Sequence, residues 1–141
     1  PVARDAFGLV CRKGHPLARR RGPVPWSSLA SERLIGNATF DTLRNRQLGS
    51  GIDDPAMVVS NRASLLASVV SGLGVTVLPV LARPAADSGL AFVPLCEPTV
   101  ERIVGVLTRK EETLLPSVAA MHALALRSLT QFTRRKGADL V

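Results

Sequence analysis

Short apolar runs alternate along the chain with segments that carry helix-start and helix-stop signals. The apolar runs are rich in valine, leucine and isoleucine, which is typical of buried strands. They cover residues 6–11, 33–36, 56–60, 75–79, 90–95 and 102–109. Helices are predicted at 37–51, 61–72 and 114–135, with one helical turn at 26–31. This alternation is the βαβ pattern, and it predicts an α/β fold in which helices pack on a parallel sheet.

The stretch SGLGVTVLP, residues 71–79, contains two glycines in the spacing of a phosphate-binding loop. Such loops follow a strand and precede a helix, so that the N-terminus of the helix faces the anion. Here a helix precedes the glycines, and the C-terminus of a helix carries partial negative charge. We therefore expect Gly72 to end the helix in a left-handed conformation and Gly74 to allow a tight start to the strand. The order of helix, glycines and strand therefore does not favour a nucleotide-binding site.

A candidate binding site lies at the opposite edge of the predicted sheet, where three strands end at Gly36, Ser60 and Pro79. The polar side chains expected there are Asn37, Thr39, Thr42, Ser60 and Asn61. Arg44, one turn into its helix, adds a positive charge. Because no nucleophile–base pair accompanies them, these groups favour binding of a small anion or carboxylate over catalysis. The alternative is that Asn37, Thr39 and Asn61 are ordinary helix caps.

Composition narrows the class of protein. The chain has 141 residues, of which 46% are hydrophobic and 21% charged, as in a single folded domain. The net charge of +7 lies partly in the clusters ARRRG and TRRKG, which have no interleaved aromatic residues. A solvated surface is therefore favoured over a nucleic-acid site. Neither the two cysteines nor the two histidines have metal-ligand spacing, so reduced thiols and no metal are expected.

Four segments resemble the effector-binding region of LysR-type transcriptional regulators, a bacterial family. They are DAFGLVCRKGHPLARRR, SSLASERLIG, VVSNRASLLASVVSGLGVTVLP and RIVGVLTRK. The resemblance runs from about residue 5 to residue 132. It implies a fold like that of type II periplasmic binding proteins: two α/β subdomains, each an αβα sandwich, joined by two hinge strands around an effector. Residues 1–11 would be the first hinge strand, 12–100 the second regulatory subdomain, and 101–141 the second hinge strand and the return to the first subdomain.

The resemblance also implies partners and their sites. A small-molecule effector is expected, with no cofactor. The predicted effector site comprises Asn37, Thr39, Phe40, Thr42, Arg44, Ser60, Asn61, Pro79 and Arg102. A dimer interface is expected on the helix after Asn61, at Ser64, Leu65, Ser68 and Ser71. DNA would be bound only through a domain outside this chain, in a cytoplasmic homo-oligomer. Thr42 matches the place of the reactive cysteine in peroxide-sensing members, so thiol sensing is not expected.

Two other classes of function share such a two-lobed fold. A free-standing solute-binding protein would need export, and no secretory signal is visible in the sequence. An enzyme, for example a dehydratase, would need an acid–base or nucleophile set. Asp41 is the only acidic residue near the predicted site. We therefore expect a ligand-sensing protein that is not an enzyme.

Overall fold

The computed structural model describes residues 1–44, 46–108 and 115–141. The strands are β1 (Ala3–Arg12), β2 (Val24–Pro25), β3 (Ile35–Gly36), β4 (Met57–Val58), β5 (Thr76–Pro79), β6 (Leu90–Cys96), β7 (Glu101–Val104) and β8 (Asp139–Leu140). The helices are α1 (Ala38–Leu43), α2 (Ser50–Asp53), α3 (Arg62–Val70) and α4 (Pro116–Lys136). Short 3₁₀ turns lie at Pro16–Arg19, Trp26–Ser31 and Val80–Ala82.

The long strand β1 organises the sheet, because different neighbours pair with its two halves. Its C-terminal half lies between β5 and β6, so that Leu9 faces Val77 on one side and Val93 on the other. Its N-terminal half pairs with β7 and β8. All four neighbours run antiparallel to β1. Residues 3–6 therefore extend beyond the pairings with β5 and β6 and pair with a second set of strands in the same sheet.

The βαβ part of the sheet is parallel, as the sequence predicts. β3 pairs parallel with β4, and a parallel bridge between Leu34 and Val75 joins this pair to β5. β1 lies outside this strand–helix alternation and runs antiparallel to its neighbours, which makes the sheet mixed. A strand buried on both faces has the same apolar pattern in either direction, so its orientation is invisible in the sequence.

Apolar side chains cover both faces of the sheet and form two cores. On one face, Phe7 and Leu9 of β1 pack with Trp26 and with Phe40 of α1. On the other face, the core includes Val10 of β1 and the side chains of α3, with Ile35, Leu65, Val69, Leu78 and Leu90. Successive residues of β1 thus point into opposite cores. The arrangement is an αβα sandwich, and the predicted α/β class is confirmed.

The predicted helix at 37–51 is divided. α1 ends at Leu43 and α2 begins at Ser50. Between them Gln47 and Gly49 adopt φ angles of 56° and 117°. Because residues with positive φ cannot continue a right-handed helix, the two segments are separate, and the prediction of one continuous helix over residues 37–51 is wrong.

Two further predicted boundaries change. Strand β7 ends at Val104 rather than continuing to 109, and residue 109 lies outside the described part of the chain. The last helix begins at Pro116, where a missing N–H costs no hydrogen bond. The predicted start at residue 114 lies outside the described residues. Among the helices that the structure describes, none is long and apolar enough to span a membrane.

The turn after α3 confirms the interpretation of its glycines. Gly72 has a φ of +79°, and its N–H donates to the Val69 carbonyl at 3.0 Å. The Leu73 N–H donates to the Ser68 carbonyl, also at 3.0 Å. These two bonds form a Schellman motif, which ends the helix. A Cβ on Gly74 would overlap the carbonyl oxygen of Arg33, so only glycine permits the close approach of these two backbones.

Candidate functional site

Asn37 joins the ends of two neighbouring strands. Its Oδ1 accepts the N–H of Thr39 at 2.7 Å and caps α1. Its Nδ2 donates to Thr76 Oγ1 at 2.8 Å and to the Val77 carbonyl at 3.2 Å. The Thr76 hydroxyl in turn donates to the Ile35 carbonyl at 2.7 Å. Both amide hydrogens of Asn37 are therefore used within the protein, and Oδ1 alone has spare capacity for a ligand.

A cavity of about 220 Å³ opens at these strand ends, and we call it the main cavity. Residues Asn37, Thr39, Ser60, Pro79 and Arg102, all predicted from the sequence, lie around it. The other lining residues are Ala38, Arg62, Leu65, Leu78 and Ala82. The sheet thus brings together residues from the ends of β3 and β5, from the start of α3 and from β7.

Arg102 is held at the cavity by a carboxylate on the neighbouring strand. Its Nη2 and Nε both donate to Oδ2 of Asp5, at 2.9 and 3.0 Å. The Asp5 side chain is completely buried, whereas that of Arg102 is 36% exposed. Asp5 and Arg102 are also paired residues of β1 and β7. Sequence reasoning missed Asp5, although an acidic residue inside the apolar run ARDAFGLV was a signal.

Arg62, a second cation at the main cavity, was also missed. It is the first residue of α3, directly after its cap Asn61, and its Nη2 donates to the Ala82 carbonyl at 2.7 Å. The bond ties the start of α3 to the 3₁₀ turn that follows β5. Two guanidinium groups therefore border one small cavity, and the only carboxylate bonded to them within the described residues, that of Asp5, is buried.

A second, smaller cavity of about 170 Å³ lies beside α1, and we call it the side cavity. It shares Asn37 and Ser60 with the main cavity and adds the predicted residues Phe40 and Arg44. Arg44 Nη2 lies 3.5 Å from Asp41 Oδ1, and both of these side chains are more than half exposed. Arg44 is therefore held much more loosely than Arg102.

Two predicted effector residues lie outside both cavities. Thr42 is exposed on α1, and its carbonyl accepts the Nε–H of Arg46 at 3.1 Å. Asn61 is exposed and caps α3, because its Oδ1 accepts the N–H of Ser64 at 3.1 Å. For Asn61 the structure thus supplies the alternative role considered above, that of an ordinary helix cap.

The residues of the predicted dimer interface do not share one surface. Ser64 and Ser71 are exposed, and Ser68 is half-buried with its hydroxyl donating to the Ser64 carbonyl at 2.8 Å. Leu65 points the other way, is 2% exposed, and packs in the core beneath α3. Its side chain offers no surface to a partner, so it does not fit the predicted interface. The position one residue after Ser64 lies about 100° around the helix, which explains the difference.

Neither cysteine lines a cavity described above. Cys11 is fully buried in β1, and Cys96 is half-buried at the end of β6. Burial, together with the nearby negative charge of Glu32, raises the pKa of the Cys11 thiol to about 11. The thiol is therefore protonated and unreactive near neutral pH. Within residues 1–44, 46–108 and 115–141, no group of three or more metal-ligating side chains converges.

Two solved regulatory domains that contain bound ligands are examples of structures similar to this one. The effector-binding domain of QuiR, in complex with shikimate, has a TM-score of 0.68 and 18% identity, over 91% of this chain and 63% of that one. The regulatory domain of Synechocystis CcmR, in complex with 2-PG, has a TM-score of 0.63 and 18% identity, over 92% of this chain and 65% of that one. These likenesses show that the chain shares the fold of the two domains.

Sequence comparison gives the family directly. A curated relative, the uncharacterised HTH-type transcriptional regulator YbhD of Escherichia coli, is 32% identical over 139 residues. The match covers 92% of this chain but 43% of the relative, so the chain spans less than half of that protein's length. The family model described as the LysR substrate binding domain matches residues 1–130. The chain therefore belongs to the LysR substrate-binding domain family.

Proposed function

We propose that this chain is the ligand-sensing part of a LysR-type transcription regulator and that its main cavity binds a small carboxylate. The carrying observation is Arg102, a cation fixed at the cavity with part of its donor edge still free. Shikimate, which the structurally similar QuiR domain binds, is a carboxylate, and this supports the proposal.

The donors around the cavity suit a carboxylate that carries further hydroxyl groups. Arginine has five N–H donors, and Asp5 accepts two of those of Arg102. Thr39 and Ser60 contribute hydroxyl groups that have no hydrogen bond to another described residue, and Arg62 contributes a second positive charge. The rest of the lining is mainly apolar and suits a carbon skeleton, with Leu65, Leu78, Pro79 and Ala82.

Binding rather than catalysis is the role that these groups support. An enzyme site needs a nucleophile with its base, or an acid–base pair. The described residues that line the main cavity offer cationic, amide, hydroxyl and apolar groups, and they contain no such pair. Regulation by occupancy requires only that the ligand bind one arrangement of the regulator more tightly than another.

The remaining parts of the proposal concern the longer protein. We infer that β1 and β7 act as hinge strands, that residues 12–100 form one regulatory subdomain, and that the chain continues after β7 toward a second one. A DNA-binding region outside this chain would place the protein in the cytoplasm. Homo-oligomers would form through the exposed face of α3, which presents Ser64 and Ser71.

Titration of the chain with shikimate and with its uncharged methyl ester, followed by NMR, tests the carboxylate site. We expect the acid to shift signals of Thr39, Ser60 and Arg102, and the ester to bind more weakly. Arg102→Met should weaken binding of the acid by about ten- to a hundredfold, since a hydrogen bond to a charged group contributes about 1.5–3 kcal/mol. Arg4→Met, in the exposed pair with Glu101 at 3.7 Å, is the matched control. Equal binding of acid and ester would refute the proposal.

A further inference from the structure

Asp5 is a fully buried carboxylate in a strand that otherwise supplies apolar side chains to the core. Three N–H groups donate to it. Its Oδ2 accepts from Nε and Nη2 of Arg102, and its Oδ1 accepts the backbone N–H of Leu81 at 2.9 Å. A buried charge is tolerated only when such partners replace water. Both oxygens of the carboxylate therefore have partners within the protein, and because the side chain is completely buried it does not itself face a ligand.

The two bonds from Arg102 determine which edge of its guanidinium is free. Nε and Nη2 form one edge of the planar group, and both donate to the same oxygen of Asp5. The remaining donors are the two hydrogens of Nη1 and one of Nη2. They lie along the edges of the planar group that do not face Asp5. Because Arg102 lines the main cavity while Asp5 is buried, this free edge is the one available to the cavity.

Asp5 also holds one wall of the same cavity. The Leu81 N–H belongs to the 3₁₀ turn Val80–Ala82, which follows Pro79 directly, and Ala82 lines the cavity. The carbonyl of Ala82 accepts the bond from Arg62. Asp5 thus supports two features of the cavity. It orients Arg102, and it holds the 3₁₀ turn whose Ala82 carbonyl accepts the bond from Arg62.

We propose that Asp5 is a positioning residue: it orients Arg102 so that the free guanidinium edge receives a carboxylate through two parallel hydrogen bonds. The proposal rests on the function proposed above and makes it more specific, because a guanidinium presented edge-on matches the planar geometry of a carboxylate. Among the described residues, Arg44 has only the exposed carboxylate of Asp41 as an ion-pair partner, 3.5 Å away. The selectivity of the site for a carboxylate over its ester therefore depends on a residue that does not touch the ligand.

The test compares Asp5→Asn with Glu101→Gln. Both variants remove a carboxylate that pairs with an arginine between β1 and β7, but Glu101 pairs with Arg4 and lines neither cavity described above. We expect the Nε–H of Arg102 to exchange slowly with water in the wild type and in Glu101→Gln, and rapidly in Asp5→Asn. Asp5→Asn should bind shikimate about tenfold more weakly, with the methyl ester unaffected.

The possible results distinguish failure of the positioning role of Asp5 from failure of the proposed carboxylate site. If Asp5→Asn binds shikimate as tightly as the wild type, or loses affinity for acid and ester equally, the positioning role is refuted while the carboxylate site stands. If the wild-type chain binds neither shikimate nor any other small carboxylate tested, the proposed function is refuted, and the positioning role with it. Should Asp5→Asn fail to fold, the wild type still decides: an Arg102 Nε–H that exchanges no more slowly than that of Arg4 overturns the inference.

Discussion

Asn37→Ala should destabilise the protein far more than the loss of one helix cap. The substitution removes the cap of α1 and two donated hydrogen bonds, to Thr76 Oγ1 and to the Val77 carbonyl. A lost cap costs about 1 kcal/mol and each lost hydrogen bond about 0.5–1.5 kcal/mol, more where the partner is buried and left unsatisfied. We therefore expect the free energy of unfolding to fall by about 2–4 kcal/mol.

Two further variants separate the roles of the side chain. Asn61→Ala removes an exposed cap that makes one bond, to the N–H of Ser64, and should cost about 1 kcal/mol. Asn37→Asp retains an oxygen that accepts the N–H of Thr39 but replaces the donor that faces Thr76 and Val77. It should preserve the cap and still destabilise the protein, because acceptors would then face each other.

Urea unfolding followed by the fluorescence of Trp26 provides the measurement. Trp26 is the only tryptophan, is 2% exposed, and packs in the same core as Phe40 of α1, so its emission reports loss of this core. The reasoning would be refuted if Asn37→Ala and Asn61→Ala changed the free energy of unfolding by equal amounts. It would also be refuted if Asn37→Asp were as stable as the wild type, since the bonds to β5 would then contribute nothing.

The remaining predictions concern the turn after α3 and the buried thiol. Gly74→Ala should lower the free energy of unfolding by about 1–3 kcal/mol, because the new Cβ would push the Arg33 carbonyl away and break the bridge between β3 and β5. Gly14 has open space around it, so Gly14→Ala should be nearly neutral in the same urea unfolding experiment. Since the pKa of Cys11 is about 11 in the folded protein and 9.0 ordinarily, the unfolded chain loses this proton first as the pH rises. The contribution of the protonated Cys11 thiol to the free energy of unfolding is therefore complete below pH 9 and is lost as the pH rises to 11, a decrease of about 3 kcal/mol. In Cys11→Ala this part of the pH dependence should be absent. Iodoacetamide should modify half-buried Cys96 before Cys11, and mass spectrometry of peptides would reveal the reverse order if burial does not protect the thiol.

Much of the local structure was predictable because it depends on neighbours in the sequence. The cap by Asn61 and the left-handed Gly72 use hydrogen bonds between residues three to five positions apart. The strand–helix alternation and the short strands rich in β-branched residues likewise predict the α/β class from local patterns. The same patterns placed Asn37, Ser60 and Pro79 at strand ends, which the structure gathers around one cavity.

Errors arose where a local signal met a tertiary constraint. The helical pattern of residues 37–51 continues through a stretch that the fold divides at Gln47 and Gly49, so that Leu48 and Ile52 reach the core separately. The interface expected on α3 from the family resemblance included Leu65, because the sequence alone does not show that this side chain faces the sheet. The direction of β1 was also invisible, because an apolar strand has no preferred orientation in its composition.

By itself, then, the sequence determined the elements, their caps and turns, the family resemblance and the edge of the sheet where polar residues collect. Only the tertiary structure decided which of those residues have free hydrogen-bonding groups. Asn37 meets Thr76 across 39 positions of sequence, and Arg102 meets Asp5 across 97. Such pairings depend on the register of strands distant in the chain, and neither residue type nor spacing encodes that register locally. For this reason the contact between Asp5 and Arg102 is visible only in the folded protein, where β1 and β7 are neighbouring strands.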